Sequence, residues 1–279
     1  CGALEFSENI SKVGTQPIIG TQINFKYEDT SGLLPLIALN ENGYKKIIEL
    51  SSKSYLENDV LSKPHLDIKE LLDNISDVIL LSGTNHGLFG KLFEKGRFDE
   101  IQKIYKDLLK NFKDNFYLEI QRHGDQNEIS FEKFNLEQSF RLKIPIIASS
   151  EVYYLTKDMH EAHDALTCIG EKTYLNDKNR IKYSNQHYFK SSEEMCALFS
   201  DLPEALENNF NLPYRCSFRP QFSKPVLPNI STEKDGSADE ILKKDSLNGL
   251  KEKFLKVFKI EEKNLINDEK FLFYKDRLD

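Results

Sequence analysis

Three short stretches hold the residues best suited to chemistry. His86 lies in "LLSGTNHG", His123 in "YLEIQRHG", and Glu151 and Tyr153 close "IPIIASSEVYYL". Each follows an apolar run of strand character. If the strands run parallel, their carboxyl ends would bring these side chains to one mouth, where functional groups of α/β folds gather. Imidazole and carboxylate together suit a divalent ion that activates water. The same residues can also line a cleft without holding anything. Alternation along a strand would put Glu151 and Tyr153 on one face, where they form either a working pair or the remains of a site. A second group, His160 and His163 with Asp164, shares a helix face. H-x-x-H without a third ligand reads better as a packed or solvated surface. Lys182, Lys190 and Tyr188 could contact phosphate, although scattered surface charge is the simpler reading. His65, between Pro64 and Leu66, carries no signal.

The elements that would position these groups alternate. Strands are expected at 17–25, 33–40, 77–83, 116–122 and from Ile144 to Ala148. Between them lie helical patterns, such as Tyr44, Ile47, Ile48 and Leu50, and Ile101, Ile104, Leu108 and Leu109. Such repetition implies an α/β fold with a mainly parallel sheet or barrel. After Leu155 the pattern is helical. Ser191 with Glu194, and Ser237 with Glu240, have capping-box spacing, and Pro213 should end the helix that begins near Pro203. Pro220, Pro225 and Pro228 suggest an extended linker. The resulting division is 1–212 as an α/β domain, 213–236 as linker and 237–279 as a helical segment.

Composition narrows the function classes. The 279 residues are 39% hydrophobic and 30% charged, as in a globular protein. The net charge of -7 argues against a domain whose main task is gripping nucleic acid. No apolar run reaches the roughly 18 residues of a membrane span. Cys1, Cys168, Cys196 and Cys216 have neither metal-knuckle nor disulfide-framework spacing, and the cytoplasm is the expected location. GxxxxGK[ST], GxGxxG and GxSxG are all missing from the sequence. The chain opens on Cys1 within a helical pattern and stops within another, so it reads as an internal fragment.

Seven stretches, in order, resemble a known family: "QPIIGTQINF", "LIALNENGYKKIIELSS", "FYLEIQRHG", "IPIIASSEVYYL", "AHDALTCIG", "YFKSSEEMCALFSDLPEALENN" and "SADEILKK…GLKEKF". They are similar to the alpha subunits of bacterial replicative DNA polymerase III, in the polymerase-and-histidinol-phosphatase (PHP) domain and the segment entering the palm. The resemblance implies a distorted PHP barrel of about seven β/α units, N-terminally truncated here and followed by a helical region; without its first strands such a barrel would have an open edge and the chain would be marginally stable. It implies a parent that is a DNA-directed DNA polymerase of chromosomal replication. Magnesium would be held by palm aspartates beyond Asp279, with no cofactor in this segment. The proofreading exonuclease, other holoenzyme subunits and, through the whole protein, primed DNA would be partners; a membrane would not.

Position by position, the family's metal ligands are replaced. Its glutamate is Gln22, a histidine is Leu33, a frequent cysteine is Thr84, and its Asn-Asp-Val-His reads Ser150-Glu151-Val152-Tyr153. The expectation is a vestigial cleft with no catalytic or metal-binding residue, lined by His86 and His123, which would hydrogen-bond Glu151. The rival from another class is a stand-alone PHP phosphoesterase, and a third reading is a non-enzymatic binding module.

Overall fold

The computed structural model describes residues 2–72, 75–226 and 237–278. The chain divides into two units, Cys1–Gln221 and Phe222–Asp279.

The first unit begins with α1 (Ala3–Lys12), then β1 (Gly20–Tyr27), β2 (Thr30–Ala38) and α2 (Glu41–Leu56). The two-residue β3 (Leu66–Asp67), β4 (Val78–Leu81), α3 (Leu88–Glu94) and α4 (Phe98–Phe112) follow. Next are β5 (Phe116–Ile120), α5 (Glu128–Leu142), β6 (Ile146–Ala148), α6 (His160–Glu171), α7 (Ser192–Leu198) and α8 (Pro203–Arg215). The six strands form one sheet in the order β3-β1-β2-β4-β5-β6.

The α/β alternation is as expected, with one departure. β2 runs antiparallel to both its neighbours. Only Glu28 and Asp29 separate it from β1, a turn too short for a parallel crossover. The open edge expected of a truncated barrel is there: among the described residues the sheet is not closed, with β3 at one edge and β6 at the other.

Burial follows the pleat. Ile23 and Phe25 of β1 and Leu34 and Leu36 of β2 point into the main core with α3 and α4. Gln22, Leu33 and Pro35 take the opposite face. β4, β5 and β6 are buried throughout, their second face packing against Leu212 and Cys216. That pattern is usual for parallel strands covered on both sides.

Pro213 does not end α8, which continues to Arg215. In the last turn, proline forfeits only one backbone hydrogen bond, and its carbonyl accepts from Cys216 N at 3.1 Å. The boundary at 212/213 thus falls inside a helix. The first expected linker residues are also anchored: Ser217 N donates to Leu39 O at 2.7 Å, and Phe218 stacks on Tyr44 at 4.6 Å. Residues 227–236 of that stretch, Pro228 among them, lie outside the described residues.

The second unit holds α9 (Ala238–Lys256) and α10 (Glu269–Asp276), around a small core of Phe254, Leu265 and Phe271. Both capping boxes, Ser191–Glu194 and Ser237–Glu240, are formed.

Candidate functional site: a cleft at the carboxyl ends of the parallel strands

β4, β5 and β6 are parallel, so the loops that follow them open on the same side. The outward residues of β1 and β2 complete the wall. The cleft, of about 470 Å³, is lined by Gln22, Leu33, Thr84, His86, Glu151 and Tyr153, together with Pro35, Lys91 and Lys182 among others. All five positions where the family resemblance points to metal ligands therefore share one concavity.

Glu151 and Tyr153 are a pair, but not on a strand. β6 stops at Ala148, and the chain then turns to pair with a later segment. Tyr153 N donates to His187 O at 2.9 Å, and Phe189 N to Tyr154 O at 3.0 Å. The Tyr153 hydroxyl still donates to Glu151 Oε2 at 3.0 Å. Burial, followed by the Glu151 charge, raises the Tyr153 pKa, so the phenol keeps its proton.

His123 departs from expectation. It meets Glu151 through the backbone: Glu151 N donates to His123 Nε2 at 3.2 Å. The carboxylate facing its other ring nitrogen is Glu128, with Oε1 3.4 Å from Nδ1. Glu128 also accepts from the backbone N–H groups of His123 and Gly124, at 2.8 and 2.7 Å. Gly124 has a φ of +79°, a conformation glycine adopts at no steric cost and one that aligns these amides on one anion. Burial pushes the Glu128 carboxyl up, but the His123 and backbone hydrogen bonds outweigh it and leave the pKa lowered.

His86 is exposed and does not bond Glu151. Its Nε2 lies 3.4 Å from Asp125 Oδ2. This contact raises the His86 pKa and lowers that of Asp125.

Sequence reasoning missed Asp125 and His187. His187 is buried, and its ring stacks on His123 at 4.1 Å and 5°. Its Nδ1 donates to Glu151 O at 3.0 Å. Its Nε2 lies 3.9 Å from Asp125 Oδ2 and has no hydrogen-bond partner. Burial and then the neighbouring His123 lower its pKa. Asp125 was within reach as the second residue after His123. His187 sits in irregular chain, where no periodicity marks it.

The remaining candidates are structural. His160 Nε2 meets Tyr183 O at 3.0 Å, His163 stacks on Tyr153, and Asp164 pairs with Arg180. The helix face is packed, and the two histidines do not converge. Lys190 is buried rather than part of a scattered surface: it bonds Gln186 O and lies over the Tyr188 ring. The Tyr188 hydroxyl donates to Glu194. Lys182 lines the cleft, and His65 Nδ1 meets Lys63 O at 2.9 Å. No described helix is long and apolar enough to cross a membrane.

Comparison with known proteins agrees with this architecture. The PHP domain model matches residues 1–123. DNA polymerase III subunit alpha of Rickettsia bellii is 35% identical over 269 residues, covering 96% of this chain and 23% of the relative. The Caulobacter vibrioides subunit is 33% identical over 258 residues, covering 90% and 23%. That of Vibrio cholerae is 34% identical over 257 residues, covering 91% and 22%. With a PHP domain and this similarity along almost all of its length, the chain belongs to the DNA polymerase III alpha subunit family, and it spans less than a quarter of the length of these relatives.

Proposed function

We propose that this chain is the PHP-domain segment of a replicative DNA polymerase alpha subunit, and that its cleft supports the enzyme without performing hydrolysis. Nucleotide addition to primed DNA would belong to the whole protein, with magnesium held by palm aspartates outside these 279 residues. The segment's own contribution would be to buttress the polymerase and dock the proofreading exonuclease.

The observation that carries this reading is the chemistry of the cleft wall. Gln22 is a neutral amide, Leu33 has no donor atom, and Thr84 offers only a hydroxyl. Tyr153 stays protonated and donates to Glu151. Sites for divalent ions need several anionic or imidazole donors, and Glu151 alone does not meet that need. A metal held at the family's positions does not fit these residues.

Three measurements test the proposal. The purified exonuclease subunit, offered to this chain in a pull-down, should be captured. Capture by the full-length polymerase but not by this chain would remove the docking role. In the full-length enzyme, Glu151→Gln and Tyr153→Phe should leave primer extension unchanged. Phosphate-ester hydrolysis by the metal-supplemented chain, abolished by Glu151→Gln, would instead favour a PHP phosphoesterase.

A further inference from the structure

We propose that the groove between α4 and α5 docks an acidic segment of a partner protein, with one large apolar side chain of that segment as its anchor. None of the residues lining this groove lines the cleft at the strand ends, so the two surfaces are separate.

The floor of the groove is aromatic. Phe93, Phe98 and Phe134 meet one another with ring centroids 5.2, 5.4 and 5.8 Å apart, and the space they bound is about 520 Å³. Phe134 is buried and Phe98 is 43% exposed, so the rings keep their own packing and still offer apolar surface to an incoming side chain. Such pockets seat the anchor residues that carry most of an interface's affinity. The outer face of α5 extends the apolar surface. Ile129 and Phe140 are 84% and 79% exposed and stand at helical spacing on either side of Lys133.

Charge identifies the occupant. Lys133 and Arg141 line the groove with Glu137, and Lys143 lies over the Phe140 ring at 4.6 Å. Among the described residues none of these three cations forms a salt bridge; Arg141 bonds only the neutral Gln102 amide. Arg97, Arg122 and Arg180, by contrast, are each paired with carboxylates. On a chain of net charge -7, a basic rim without partners of its own suits an acidic segment. Gln138 adds an independent observation. It lines the groove, is 3% exposed, and its Oε1 has no hydrogen-bond partner. A buried amide left unpaired costs folding free energy, and a peptide backbone supplies both the donor and the acceptor an amide needs. Single-stranded nucleic acid fits less well. Its bases stack on open ring faces, whereas these rings are packed against one another.

The test is fluorescence anisotropy on the full 279-residue chain with a labelled synthetic peptide, Asp-Glu-Asp-Leu-Phe-Glu-Asp. Binding should saturate, and should weaken as salt rises from about 50 to about 500 mM. The charge-reversed peptide Lys-Lys-Lys-Leu-Phe-Lys-Lys, and a version of the acidic peptide with Ala for Leu and Phe, should each bind about tenfold or more weakly. Lys133→Glu and Arg141→Glu, both at exposed positions, should each weaken binding about tenfold and leave Tm unchanged. Gln138→Leu should lower affinity about fivefold, the net strength of one hydrogen bond, while raising Tm because the orphan amide is gone. No saturable binding, equal binding of the charge-reversed peptide, or indifference to both Lys133→Glu and Arg141→Glu would overturn the proposal. So would tighter binding of oligo-dT than of the acidic peptide, which would make the groove a nucleic-acid platform. Dimerisation of the chain lost on Phe98→Ala would also overturn it, by seating a second copy there. Failure to capture the exonuclease would sink that docking role and leave this surface untouched.

Discussion

Glu119 is a buried carboxylate held off-balance. Gln121 Nε2 donates to Oε1 at 3.0 Å, Ser149 also bonds Oε1, and Oε2 has no partner. Burial pushes its pKa up, overcoming the lowering by those hydrogen bonds. A carboxyl with a raised folded pKa binds its proton more tightly in the folded state. Its penalty is absent below the unfolded pKa of about 4.3 and complete only above the folded one. Glu119→Gln should therefore raise Tm at pH 7, with the gain shrinking as pH falls toward 4. A gain independent of pH, or a loss at pH 7, would refute this account. Sequence made some residues legible and others not, for a physical reason. Gln22, Leu33, Thr84, Glu151 and Tyr153 could be placed because the family resemblance aligns them, position by position, with one ligand set, and all five do line one cleft. Asp125 and His187 depend on where loops fold back, which side-chain periodicity does not encode.

At the scale of elements, close packing between β2 and α3 sets the cleft wall. A Cβ on Gly32 would lie 2.2 Å from Leu88 N and 2.6 Å from Leu88 Cα, where α3 begins. Backbone cannot yield as a flexible side chain does. Gly32→Ala should cost about 3 kcal/mol in urea unfolding, at the upper end for overpacking. A loss below about 1 kcal/mol would mean that α3 shifts freely. Helix starts were readable because capping is local: Ser191 with Glu194 and Ser237 with Glu240 are four-residue signals. The two-residue β3 was not, since its pairing of Phe25 with Leu66 comes from distant sequence. Arg122, two residues beyond β5, shows the same limit. It joins Glu132 of α5 to Asp201 before α8, a triad assembled only by the fold.

For the molecule as a whole, charge predicts behaviour better than shape does. With a net charge of -7, the chain lacks the cationic excess that drives phosphate binding and counterion release. Its affinity for primed DNA at about 150 mM salt should be no tighter than the non-specific range of roughly 10⁻⁴–10⁻⁶ M, measured by gel shift. Nanomolar binding would place this surface on the DNA path. Family membership was readable in the sequence because many weak local matches fell in register, whereas the antiparallel course of β2 required coordinates. One small contact has a larger topological meaning. Gln16 Nε2 donates to the carbonyls of both Pro213 and Cys216, at 2.9 and 2.5 Å, and Glu8 meets Arg219 at 3.6 Å. The segment leading into β1 and the segment leaving α8 are thus neighbours, so the backbone between Gln16 and Cys216 is nearly a ring. A short peptide could close that ring, and new ends cut beside the fully exposed Val60 and Leu61 would give a circular permutant with every strand pairing preserved.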